Sequence, residues 1–167
     1  TLKIYKKIFK NSYIVVSTWK DEIKYKKDII QLCDHIIFNE KPKQNGIANV
    51  NLQLKSTYSA LMHLKKKKIH YSLKSRTDCR IYNPDSLNFL YNLIKLFPVN
   101  IKNNLNVKNR ILFCSSFSCK YKIYGVTDIL LFSTTDELLK YFYNDCFFKG
   151  VKKLGIKNKD YLKKNTY

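Results

Sequence analysis

Asp78 is the carboxylate best placed to do chemistry. It stands in K-S-R-T-D-C-R (74–80), just past an apolar run, and is flanked by Arg76 and Arg80, two of only three arginines in the chain. A carboxylate at a strand end can hold a divalent cation, since Mg²⁺ or Mn²⁺ takes one or two carboxylates together with substrate phosphates. Guanidiniums beside it can grip diphosphate oxygens in pairs. The same residues also suit a structural ion pair between Asp78 and one of its arginines. Asp128, in Y-G-V-T-D (124–128), is a second acid at a strand edge. It suits a general base, an acceptor-binding group or the cap of a turn. The three His (His35, His63 and His70) have no Ser, Cys or acid at a spacing that makes a nucleophilic pair. Five Cys form no CxxC, and there is no GxGxxG, P-loop or HExxH, which sets aside zinc fingers, dinucleotide folds and zincins. An odd number of thiols without a secretory signal points to a reducing, cytoplasmic compartment.

Charge narrows the choice of partner. The chain of 167 residues carries 32 Lys+Arg against 12 Asp+Glu, a net +20. That suits a polyanion: nucleic acid, an anionic membrane surface or phosphorylated substrates. Base reading and bidentate phosphate contacts favour Arg, however, and here Lys dominates. A chain so rich in Lys, Asn, Ile, Tyr and Phe also reads as A/T-rich coding, with Lys as solvated filler. The longest apolar runs, such as Ile129–Phe132, fall far short of the roughly 20 residues a membrane span needs.

The elements that must position these acids follow from periodicity. Helical spacing predicts helices over Thr1–Asn11, Asp21–Leu32, Asn49–Lys66, Asp85–Phe97 and Glu137–Tyr143, the last with Ser133/Thr134 as its cap. Short β-branched or apolar runs predict strands at Tyr13–Ser17, His35–Asn39, Tyr71–Ser75, Arg110–Ser115 and Thr127–Phe132. The alternation argues for an α/β or α+β architecture, taken here as an α/β domain over 1–148, with a largely parallel sheet in which the first three strands run mutually parallel. Beyond Gly150 the chain reads as polar and irregular, so 149–167 is a basic polar tail. In such sheets ligands bind past the carboxyl ends of the strands, where Ser17–Asp21, Asn39–Lys41 and Arg76–Asp78 fall.

Four segments occur together in a familiar order: Y-I-V-V-S-T-W-K-D-E (13–22), N-x-N-x-Q-x-x-S-T-x-x-A-L (49–61), Y-S-L-K-S-R-T-D (71–78) and R-I-L-F … G-V-T-D-I-L-L-F-S-T-T-D-E-L-L-K-Y-F (110–142). They resemble the WavE family of lipopolysaccharide-synthesis proteins. The resemblance implies a GT-A-like, Rossmann-like fold and a glycosyltransferase that moves a sugar from a nucleotide-sugar donor in lipopolysaccharide or capsular polysaccharide synthesis. It implies Asp78 as the ligand of a Mn or Mg ion and Arg76 as a phosphate contact. Ser17, Thr18 and Asp21 would face the base or ribose, and Asn51 and Gln53 would complete the donor side; Asp128, from its place at a strand edge, is the residue expected to be catalytic in such an enzyme. The family pattern near 51–53 resembles N-R-Q, so Leu52 stands where an Arg would touch the diphosphate. The resemblance also implies a further strand and loop ahead of Thr1. The partners expected are the donor and a saccharide or lipid-linked acceptor, at the inner face of the cytoplasmic membrane. Two other readings stand beside it: a small basic nucleic-acid-associated protein, and a non-catalytic glycosyltransferase remnant.

Overall fold

A computed structural model describes residues 1–46, 49–99, 107–115 and 127–143. The chain opens with α1 (Leu2–Ile8), followed by β1 (Val15–Trp19), a 3-10 segment (Lys20–Tyr25), α2 (Lys26–Ile30) and β2 (His35–Asn39). Then come α3 (Val50–Lys66), β3 (Tyr71–Ser75), α4 (Ser86–Leu96), β4 (Leu112–Phe113), β5 (Leu130–Thr134) and α5 (Thr135–Phe142). The expected tail, 149–167, lies outside the described residues.

Strands β1 and β2 pair in parallel, Val15 opposite His35 through Trp19 opposite Asn39, as the strand–helix–strand rhythm requires. The β1 ladder starts two residues later than its apolar run. Ile14 is held by Asp34 instead: its N–H donates to Asp34 Oδ2 at 2.7 Å and its carbonyl accepts from Asp34 N at 2.8 Å. Between the two strands the expected helix is broken into a 3-10 segment and one short α-turn. Lys20, Lys24 and Lys27 recur there at helical spacing and repel. Ile23 and Ile30 stay exposed, so no apolar face holds the segment down.

The second sheet corrects the expectation of a largely parallel array. β3 does not pair with β1 or β2; it lies antiparallel to β5, with Tyr71 opposite Thr134 and Ser75 opposite Leu130. β4 borders β5 on the other side, also antiparallel, giving the order β3-β5-β4. An apolar run fixes the burial of a strand but not the sense of its pairing, which is set by its neighbours. Here Tyr71 stacks on Phe132 (5.9 Å between rings), and the Ser72 and Thr135 hydroxyls meet at 2.6 Å.

The core forms where α3 and α5 cover β5. Leu61, Leu131, Leu138, Leu139 and Phe142 are buried together, and Leu54, Tyr58, Leu64 and Ile111 pack against them. Thr134 caps α5 by accepting from Glu137 N, as S-T-T-D-E predicts. Stacked rings of His35 and His63 (3.8 Å) tie β2 to α3.

Helix α3 ends on a strained residue. Lys68 adopts φ +58°, while Ile69 N reaches back to the Leu64 carbonyl at 3.0 Å and Lys68 N to that of Lys65 at 2.9 Å. This is the left-handed helix stop that glycine favours. Lys68→Gly is therefore expected to stabilise the protein by about 1 kcal/mol, raising the melting temperature by about 2–4 °C in a thermal scan. An unchanged or lower melt would mean that the Lys68 side chain contributes more than its backbone costs.

Candidate active site

The antiparallel pairing of β3 with β5 builds the site. With Ser75 opposite Leu130, the residues that leave β3 (Arg76–Asp78) lie beside those that enter β5 (Thr127–Ile129). Asp128 is thereby brought to Arg76, 52 residues away in sequence. The expected strand 127–132 is displaced to Leu130–Thr134, so Asp128 precedes the ladder, in a turn where Ile129 N donates to Thr127 Oγ1 at 3.3 Å.

Arg76 is the centre of the constellation. Its Nε donates to Asp78 Oδ1 at 2.9 Å and its Nη2 to Asp78 Oδ2 at 2.6 Å, a bidentate fork. Its remaining arm, Nη1, donates to Asp128 Oδ2 at 3.2 Å. Lys74 approaches from the strand: its Nζ donates to the Asp128 carbonyl and lies 3.5 Å from Asp128 Oδ2. Two cations and two carboxylates thus balance to zero charge. Burial differs sharply among them, with Lys74 at 12% side-chain exposure and Asp78 at 61%.

These contacts set the protonation states. The Arg76 hydrogen bonds hold the Asp78 carboxyl down at about 2, and its own bonds to Asp78 push the guanidinium further above its usual range. Burial pulls the Lys74 ammonium down, opposed by the charge of Asp128. Burial, with Asp128 adding to it, pushes the Tyr141 phenol up. Cys79 donates to Asp78 Oδ1 at 3.7 Å, and its thiol is pushed up by desolvation and then by the Asp78 charge, so it remains a thiol rather than a nucleophile at neutral pH.

Helix α1 fastens the loop that carries Arg76 and Asp78. The Tyr5 hydroxyl donates to the Cys79 carbonyl at 3.2 Å, accepts from Ile81 N at 3.3 Å and lies 3.2 Å from Ser75 Oγ. Thr1 Oγ1 donates to the Thr77 carbonyl at 2.5 Å.

The other expected site residues lie along β1, in the 3-10 segment that follows it and at the start of α3. Ser17 Oγ donates to the Ser56 carbonyl at 2.7 Å and accepts from the buried Asn39 side chain at 2.8 Å. The Thr18 hydroxyl donates to Glu22, and Asp21 takes Lys41 Nζ at 2.5 Å. Asn51 donates to the Gln44 carbonyl at 2.9 Å, and Gln53 is half-buried on α3. No hydrogen bond or ion pair joins this group to Arg76, Asp78 or Asp128 among the described residues. Sequence reasoning missed Lys74 and Tyr5. A Lys in the interior of a strand, on the same face as the buried Ser72, is a readable signal for the first. The role of Tyr5 depends on contacts 70 or more residues distant and leaves no local mark.

No group of three His, Cys, Asp or Glu converges as a metal cage among the described residues. What the site offers a divalent cation is the exposed carboxylate of Asp78, beside a guanidinium suited to phosphate oxygens. Both oxygens of that carboxylate accept from Arg76, so an ion held there would need Arg76 to release them and would complete its shell with water and substrate oxygens.

A family model described as WavE lipopolysaccharide synthesis matches residues 1–166. No curated protein and no solved structure matches the chain.

Proposed function

Since the chain belongs to the WavE family of lipopolysaccharide-synthesis proteins, we propose that it transfers a sugar from a nucleotide-sugar donor to a saccharide or lipid-linked acceptor, building lipopolysaccharide or capsular polysaccharide on a GT-A-like domain at the inner face of the cytoplasmic membrane. One observation carries the reading: a single guanidinium, Arg76, is shared between two carboxylates at the open end of β3.

A diphosphate competes with Asp78 and Asp128 for the same three N–H directions of Arg76. As Arg76 turns onto diphosphate oxygens, the two Asp78 oxygens are released. A divalent cation held there by Asp78, when bound, would supply charge neutralisation for the departing diphosphate. Asp128 loses one of its two cations in the same movement while Lys74 keeps its backbone in place. Its carboxylate is then free to take the proton of the acceptor hydroxyl. Donor binding and exposure of the base are coupled through one residue. The base and ribose would lie toward Ser17, Thr18 and Asp21, with Asn51 and Gln53 completing the donor side.

Titration calorimetry tests this. A nucleoside diphosphate should bind when Mn²⁺ or Mg²⁺ is present and not without it, while duplex DNA should bind weakly and lose affinity steeply with salt. Tight, sequence-selective nucleic-acid binding at about 150 mM salt, with no response to nucleotide, would overturn the reading in favour of a nucleic-acid partner.

A further inference from the structure

We propose that α4 is a membrane-docking helix whose outer face enters an anionic lipid surface. The inference rests on α4 and its flanks and does not require the transferase reading. Ile94 is the one buried residue of this helix. Phe89 and Leu96, seven residues apart and so on one stripe, are 63% and 70% exposed. Tyr82 ahead of the helix and Phe97 at its end are exposed as well. Large apolar side chains grouped on one face of a water-soluble surface mark an interaction site.

The charge around this face selects the occupant. Helix α4 contains no acid, and the described residues between Cys79 and Thr127 include Arg80, Lys95, Lys108 and Arg110 against a single acid, Asp85. Lys95 lies over the Tyr91 ring at 4.2 Å, and Arg110 Nε donates to the Phe97 carbonyl at 2.9 Å, so cations border the apolar stripe along the helix and at its C-terminal end. A second copy of the chain would set +20 against +20 and be repelled. A layer of acidic headgroups above acyl chains matches both features: the cations meet phosphate and the aromatic and aliphatic tips enter the apolar zone. The helix, 11 residues or about 16 Å long, is a patch that rests on the surface and cannot span it.

Co-sedimentation with vesicles decides the matter. The chain should bind phosphatidylcholine vesicles containing about 30% phosphatidylglycerol, bind pure phosphatidylcholine poorly, and be released by salt. The double variant Phe89→Ser, Leu96→Ser keeps the net charge and alters only exposed positions. It should melt like the wild type and bind anionic vesicles about tenfold or more weakly. Phe89→Trp should show a blue-shifted emission component on anionic vesicles beyond any change in the wild type. Undiminished vesicle binding by the double Ser variant would overturn the proposal, leaving charge alone as the cause. A dimer in sedimentation velocity that this variant abolishes would overturn it too, assigning the face to a second copy. Failure to bind vesicles leaves the nucleotide response untouched, so the two readings fail separately.

Discussion

Asp78→Asn is expected to abolish the metal-dependent binding of nucleoside diphosphate while the melting curve barely moves. The substitution keeps the shape of the side chain and removes its charge. Asp78 is exposed, contacts Arg76 and Cys79, and belongs to no packed cluster, so the fold has little to lose. The loss falls on the ligand side, because a neutral amide is a poor ligand for a hard cation. Arg76→Lys is the companion experiment. A lysine keeps one positive charge but cannot span Asp78 and Asp128 or form a fork on a diphosphate. Losing one charge-assisted pair of hydrogen bonds should weaken nucleotide binding by about tenfold to a hundredfold. The pH dependence follows from Asp78, whose carboxyl is lowered from 3.8 to about 2. A depressed carboxylate contributes fully above its unfolded value and loses that contribution as pH falls toward about 2. Metal-dependent binding should therefore show no step from Asp78 between about pH 5 and 8. A destabilised Asp78→Asn protein that still binds nucleotide with metal would assign the carboxylate to structure. Absence of binding in both proteins would favour the non-catalytic remnant.

The approach of Asp128 to Arg76 shows where sequence reading stops. Both acids, and the arginine between β3 and Asp78, are recognisable in the sequence because they interrupt apolar runs at strand ends. Their meeting is not, since it depends on the sense and register of β3 against β5. A parallel arrangement, which the strand–helix rhythm favours, would give no reason for residues 76–78 and 127–129 to be adjacent. The parallel β1–β2 pair was readable because one connection of limited length joins the two strands. β2 (His35–Asn39) and β3 (Tyr71–Ser75) fall where their apolar runs place them, with polar residues at each end. β1 and β5 are displaced by two and three residues at their starts because Ile14 N is taken by the Asp34 carboxylate and Ile129 N by the Thr127 hydroxyl of a turn. Ser17, expected at a strand end, is the middle residue of β1, and the hydroxyls of Ser17 and Thr18 serve α3 and the 3-10 segment. Residue type and place are local properties; which partner a hydroxyl chooses is a tertiary one.

Lys74 leads to the other large expected effect, in which stability and binding move in opposite directions. Its side chain is 12% exposed, and burial lowers its pKa despite the neighbouring Asp128. An ammonium whose folded pKa lies below its unfolded value binds fewer protons folded than unfolded over the interval between the two. Stability therefore rises with pH through that interval, and at neutral pH the charge is a net cost. Lys74→Met keeps the length of the stem and removes the cost, while Asp128 retains Arg76 as a partner. The variant should be more stable by about 1 kcal/mol, or about 2–4 °C, at pH 7. Its advantage should shrink as the pH is raised toward the ordinary lysine range, because the buried wild-type ammonium gives up its proton early. Nucleotide binding should nevertheless fall, because Lys74 also holds the Asp128 carbonyl, and without that contact the turn feeding β5 fixes the Asp128 carboxylate less firmly beside Arg76. Thermal scans across pH and calorimetry at pH 7 on the same two proteins give both readouts. A Met variant that melts lower at neutral pH would show that the ion pair with Asp128 outweighs the burial. One that melts higher and binds nucleotide undiminished would remove Lys74 from the site. The expected pattern, a gain in stability with a loss of binding, is what a buried charge kept for function should give, since a packed methionine would serve the fold better.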